Sequence, residues 1–139
     1  MRIIIGGAGR VGTELARALR AEEMDVVLVD SDSRAVKNAQ NLDVLVIHGD
    51  LTTREKLNEA GIGEAEVFVA ATNSDERNLL ACALAEHAHY QYAGSKAKPL
   101  LSISRVRNLN YLDEQRQGHL TNWAKVNPVS YTHLRAHET

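Results

Sequence analysis

The sequence predicts an α/β protein built on one doubly wound parallel sheet. Three observations carry that prediction. Short apolar runs of strand length alternate with stretches of helical periodicity along the chain. The second run, Val26-Val27-Leu28-Val29, is unbroken, as a parallel strand covered on both faces requires. The first run, Arg2-Ile3-Ile4-Ile5-Gly6, passes directly through Gly7-Ala8-Gly9-Arg10-Val11-Gly12 into a helical pattern, with the spacing G-x-G-x-x-G at Gly7, Gly9 and Gly12.

Each glycine of that turn has a physical task. Gly7 permits the tight exit from the strand, Gly9 lets the backbone approach a pyrophosphate closely, and Gly12 lets the helix pack on the sheet. The free N–H groups and positive dipole end of the helix then face the phosphates. Helix one is predicted from Arg10 to Ala21, with Val11, Leu15, Ala18 and Leu19 on its buried face. Strand two closes on Asp30, eighteen positions after Gly12. A carboxylate there can accept hydrogen bonds from adenosine ribose hydroxyls and would repel a 2′-phosphate, which favours NAD(H) over NADP(H).

Ser31-Asp32-Ser33 supplies an N-cap for a short helix through about Gln40. Strand three, Val44 to His48, ends in the turn Gly49-Asp50-Leu51. The run Thr52-Thr53-Arg54-Glu55 fits a capping box, and Gly61 fits the end of the helix that follows. Strand four is Val67 to Thr72. After Asn73-Ser74-Asp75 a helix runs to about His87, with Leu79, Leu80, Ala83 and Leu84 inward. Ala88 to Pro99 reads as a loop, and Leu100 to Val106 as strand five. A short helix is expected around Tyr111 to Gln115 and a weak sixth strand near Ala124 to Val126.

The fold expected is thus a Rossmann-type single domain over residues 1–128, with strand order 3-2-1-4-5 and the weak strand sixth. Residues 129–139 lack periodicity and resemble read-through sequence. Ligand should bind at the carboxyl edge, where the order reverses between strands one and four. The strand tips gathered there are Gly7 to Gly12, Asp30 to Asp32, Gly49 to Leu51, Ala71 to Asp75, and Arg105.

With 139 residues, 44 % hydrophobic and 24 % charged, the chain has the composition of an ordinary soluble domain. A net charge of −2 gives no electrostatic grip on nucleic acid or anionic lipid. No apolar run reaches membrane-spanning length, so no direct membrane insertion is expected. The single cysteine, Cys82, lies in an apolar helical pattern and fits core packing in a reducing cytosol.

Two other constellations point elsewhere, and neither is complete. His133 and His137 stand four apart, but Leu134 replaces the Glu that follows the first His of a zinc-protease helix, so no metal site is expected. Tyr92 and Lys96 have the Y-x-x-x-K spacing of short-chain dehydrogenases, but Gly94-Ser95 break the helix that pair needs. A dehydrogenase needs an acid–base group and a substrate pocket beside its nicotinamide, usually in an appended second domain, and here the Rossmann unit takes up almost the whole sequence. The expectation is therefore a binding module rather than an enzyme. The cofactor domain of an NAD-dependent dehydrogenase is the alternative.

Several stretches together resemble one family. Met1 to Gly12, Val27 to Asp30, the Gly49-Asp50 turn, Val69 to Asn78 and Ser104 to Arg107 are similar to the N-terminal nucleotide-binding (RCK or KTN) domain of TrkA-type potassium-uptake regulators. The run Ala71-Thr72-Asn73-Ser74-Asp75-Glu76-Arg77-Asn78 is the most specific part. The resemblance implies a domain that assembles as a homo-oligomer, dimer or ring, on the cytoplasmic face of a membrane potassium channel or transporter. It implies NAD or NADH as ligand, with ATP or ADP left open. By that resemblance Gly7, Ala8, Gly9, Arg10, Val11 and Gly12 hold phosphates and Asp30 the ribose, with Ser31 and Asp32 beside it. Gly49, Asp50 and Leu51 lie on the adenine side. Thr72, Asn73 and Arg105 approach the far half of the ligand, with Ala71 beside them. Apart from the resemblance, Asp75 and Asn78 are expected to begin a helix that links the site to an interface between copies, with capping of the helix start as the alternative.

Overall fold

The computed structural model describes residues 1–94, 98–108, 110–111, 113 and 127–129. Six parallel strands form one sheet: β1 (Arg2–Gly6), β2 (Asp25–Asp30), β3 (Leu45–His48), β4 (Val67–Ala70), β5 (Leu101–Arg105) and β6 (Asn127–Val129), in the order β3-β2-β1-β4-β5-β6. Four helices connect them: α1 (Arg10–Ala21), α2 (Ser33–Ala39), α3 (Arg54–Glu59) and α4 (Asp75–Ala93), with a 3-10 turn at Ile62–Glu64. β1 pairs with β2 on one side and β4 on the other, which puts the switch point at the glycine turn.

Alternate side chains of each central strand feed two cores. Ile4, Val27, Val29, Phe68 and Ala70 pack with α3 and α4, together with Leu57, Ala81, Cys82 and Ala85. Ile3, Ile5, Val26 and Leu28 pack with α1 and α2 through Ala16 and Ala39. Complete burial on both faces explains the unbroken apolar runs. The α1 face is less complete: beside α1, strands β4 and β5 leave an apolar hollow of about 670 Å³ lined by Val67, Val69, Leu101 and Ile103.

Several expectations need correction. On α1 the fully buried residues are Gly12 and Ala16, while Ala18 is exposed, because close approach to the sheet admits only small side chains there. The cap of α3 is Thr53, whose hydroxyl accepts from the Lys56 N–H, because the Thr52 hydroxyl is already donated to Asp50. Gly61 does follow that helix in the left-handed conformation, φ 85°. Helix α4 runs to Ala93, through half of the stretch expected as loop. Its inner stripe is Asn78, Ala81, Cys82, Ala85, Ala88 and His89, whereas Leu80 is exposed. The buried His89 ring sustains the added turns, with Nδ1 2.8 Å from the Ile62 carbonyl and Nε2 3.2 Å from that of Lys98. Gly94, at φ 81°, ends the helix. Lys96 lies outside the described residues, as does the strand expected near Ala124 to Val126. The sixth strand is three residues further on and includes Val129, beyond the expected domain end. Of the short helix expected at Tyr111 to Gln115, Tyr111 and Asp113 are described and helical. Residues 130–139, with His133 and His137, lie outside the described set.

Candidate nucleotide-binding site

The carboxyl edge holds a cleft of about 690 Å³, the size of a cofactor site. One wall is the strand–turn–helix from β1 to α1 with the tip of β2. Gly7 takes φ 113°, and a β-carbon there would lie 3.0 Å from the backbone of Ala71 and Thr72, so only glycine serves. A β-carbon on Gly12 would fall 1.7 Å from the Gly7 carbonyl oxygen. Gly12 is therefore required by the turn itself, a tighter reason than packing on the sheet. Gly9 differs: its backbone is extended, and a β-carbon would meet nothing within 4 Å. Gly9 itself lines the cleft, and α1, with Gly9 as its N-cap, has no side-chain cap and no acidic residue in its first turn. Its first N–H groups are left for a ligand.

Asp30 braces this wall. Its Oδ2 accepts the Ala8 N–H at 2.7 Å and its Oδ1 the Asp32 N–H at 2.8 Å. Each oxygen keeps a lone pair for a further donor such as a ribose hydroxyl. Asp32 in turn caps α2 through the Arg34 N–H.

The opposite wall is made by side chains. Asn78, fully buried, accepts the Thr72 N–H at 3.0 Å and the Thr72 hydroxyl at 2.5 Å, and donates to the carbonyls of Thr72 (3.1 Å) and Arg105 (3.0 Å). Arg105 reaches back to the Thr72 carbonyl and the Asn73 amide oxygen. Buried Asp75 accepts from the N–H groups of Arg107 and Asn108, fixing the chain as it leaves β5. Asp50 accepts both the hydroxyl and the N–H of Thr52 and an Nη2–H of Arg77 at 2.8 Å. Those bonds, the Thr52 pair foremost, hold its carboxyl below the usual carboxylate range.

Of the expected site residues, Gly7, Gly9, Arg10, Val11, Asp30, Ser31, Asp32, Leu51, Ala71, Thr72, Asn73 and Arg105 line the cleft. Ala8, Gly12, Gly49, Asp50, Asp75 and Asn78 stand behind it as supports. Ala35, Arg77 and Arg107 line it without having been expected. Arg77 and Arg107 each stand two residues beyond an expected tip residue, and both fall within the stretches that carry the family resemblance. Cys82 takes no part: burial pushes its thiol up to about 12, so it is a packing residue. Among the described residues no cluster of three metal-ligating side chains occurs, and no helix is long and apolar enough to cross a membrane.

The profile of the TrkA-N domain matches residues 3–122. The chain belongs to the TrkA-N family. It is 38 % identical over 116 residues to the Trk system potassium uptake protein TrkA of Haemophilus influenzae, which covers 83 % of this chain and 24 % of that protein. A TrkA homolog of Methanothermobacter thermautotrophicus is 47 % identical over 85 residues, 60 % of this chain and 39 % of that protein. The chain thus spans a quarter to two-fifths of these relatives. Its fold superposes on the TrkA-N domain of the Escherichia coli inner membrane protein ybaL (TM-score 0.76, 17 % identity, 99 % of this chain and 92 % of that one). It also superposes on the GsuK channel bound to NAD (TM-score 0.69, 18 % identity, 96 % of this chain and 22 % of that one).

Proposed function

We propose that this TrkA-N domain is a regulatory module that binds NAD or NADH across the carboxyl edge and thereby adjusts a membrane potassium channel or transporter from its cytoplasmic face. The observation that carries the reading is the β1–α1 wall. Open space over Gly9, an uncapped helix start and a braced carboxylate at Asp30 meet in one cleft. Phosphates would lie against the helix start and the adenosine ribose against Asp30. The potassium-uptake relatives support the regulatory role, and the NAD-bound GsuK channel supports the ligand. ATP or ADP shares the adenosine half and remains the second reading of the ligand.

The potassium-uptake relatives favour a binding module over a dehydrogenase cofactor domain. Regulation requires two states of different affinity, so copies of the domain would pack as a dimer or ring and the ligand would alter that packing. Exposed Leu80 on α4 suits such a contact better than Asn78, which is buried.

The test is calorimetric titration of the chain and of Gly9→Ala with NADH, NADPH and ATP. NADH should bind the unsubstituted chain more tightly than NADPH. Gly9→Ala should fold normally, yet bind at least about tenfold more weakly, because its methyl occupies the phosphate space. Equal affinity in both proteins would sink the reading. Steady NADH formation from NAD and a substrate would favour the dehydrogenase alternative, and a strict monomer by light scattering with and without NADH would remove the assembly.

A further inference from the structure

We propose that Arg77 is the base-reading residue of the cleft, its guanidinium forming the flat surface on which the purine ring of the nucleotide lies. The inference rests on the nucleotide reading and adds which residue recognises the base. Arg77 starts from the first turn of α4 and crosses to the loop behind β3, where Nη2 donates to Asp50 Oδ1 at 2.8 Å. Asp50 is itself held by two bonds from Thr52, so the guanidinium is anchored to a fixed point. Arg77 and Leu51 line the cleft, whereas Asp50 does not; the anchor lies behind the surface that faces the ligand. No described lining residue is aromatic. The flat faces available to a base are therefore guanidinium planes. Arg10, Arg105 and Arg107 also line the cleft, but Arg105 is turned to Thr72 and Asn73 and Arg10 to Glu14. Arg77 is the one tied to the turn after β3, beside the apolar Leu51. A planar, weakly hydrated cation stacks on an aromatic ring, and buried Leu51 supplies an apolar flank. An ammonium at the same position would keep the charge and lose the plane.

The experiment is titration of ADP into the chain, Arg77→Lys and Arg77→Ala, with thermal unfolding of each ligand-free protein. Stacking predicts that both variants lose about tenfold in ADP affinity while their ligand-free unfolding midpoints stay with the parent. Lysine restoring full affinity would mean a charge contact with phosphate and would overturn the inference. So would unchanged affinity in both variants, or a midpoint lowered enough to account for the loss. An unsubstituted chain that binds neither ADP nor NADH would instead overturn the nucleotide reading on which this one stands.

Discussion

The two walls of the cleft are built by different means. The β1–α1 wall is made of backbone: a glycine at positive φ, a helix start without a cap, and amide groups held by Asp30. The β4–α4 wall is made of side chains, with Asn78 at its centre bridging the tips of β4 and β5. The first wall depends on what is absent, since an added β-carbon collides at Gly7 and Gly12 and fills open space at Gly9. The second depends on what is present, since a buried amide must satisfy four partners at once. A backbone wall fails by steric collision, and a side-chain wall by orphaned polar groups.

Four measurements would break or sharpen that contrast. The largest effect belongs to Gly12→Ala. Its methyl would meet the Gly7 carbonyl at 1.7 Å, a backbone atom that cannot swing aside. Urea unfolding should show a loss of about 3 kcal/mol or more. A loss like that of Gly9→Ala, where the space is open, would erase the distinction between the two glycines.

Asn78→Ala comes next. It strips partners from the Thr72 N–H and from the carbonyls of Thr72 and Arg105 at a site with no exposure. The expected cost is about 2–3 kcal/mol of stability, with weaker nucleotide binding as Thr72 and Arg105 lose their positions. Asn78→Asp keeps an acceptor for Thr72 but lacks the donor for the two carbonyls, so it should remain destabilised. A variant with full stability and reduced binding would mean that Asn78 touches ligand directly.

Asp30→Ala tests the first wall from its polar side. Loss of ribose hydrogen bonds should weaken NADH and ATP by about 1.5–3 kcal/mol, and discrimination against NADPH should relax. Because the carboxylate also holds the Ala8 and Asp32 N–H groups, some of that cost should appear in the ligand-free unfolding curve. Unchanged affinity for all three nucleotides would remove Asp30 from the ligand.

The smallest effect concerns pH. Asp50 is held below its ordinary value of 3.8, first by the Thr52 hydroxyl and N–H and then by Arg77. Its folded-state value is depressed, so its contribution is present above the unfolded value and is lost as pH falls through the folded one. The pair with Arg77 is half-exposed, which keeps the contribution under about 1 kcal/mol. Unfolding midpoints followed downward from about pH 5 should fall less steeply in Asp50→Asn than in the parent; parallel curves would show that Asp50 adds nothing to acid stability.

Legibility followed the same division. The strand–glycine turn–helix unit was readable because its determinants lie within a dozen consecutive residues, and α1 has the bounds its periodicity predicts. The strand order followed from alternation of elements and the handedness of crossovers. Helix α4 was read too short because its last turns are stabilised by His89 reaching carbonyls 27 and 9 residues away, contacts no local pattern contains. Of its expected inner residues Leu79 and Leu84 do pack against the core, but Leu80 is exposed, and the small residues Ala81 and Ala85 occupy the centre of the stripe.

From the sequence alone come the fold class, the cleft at the carboxyl edge and the residues of its backbone wall. These depend on local conformational freedom and hydrophobic period, and both are properties of neighbouring residues. Only the tertiary structure decided which polar residues of the second wall face the cleft and which stand behind it. Asn78 and Asp75 became supports, and Arg77 a lining residue tied to Asp50 across 27 positions. Hydrogen bonds between distant segments set those roles. A side chain's direction there depends on the partner that folding brings within about 3 Å, not on its place along the chain.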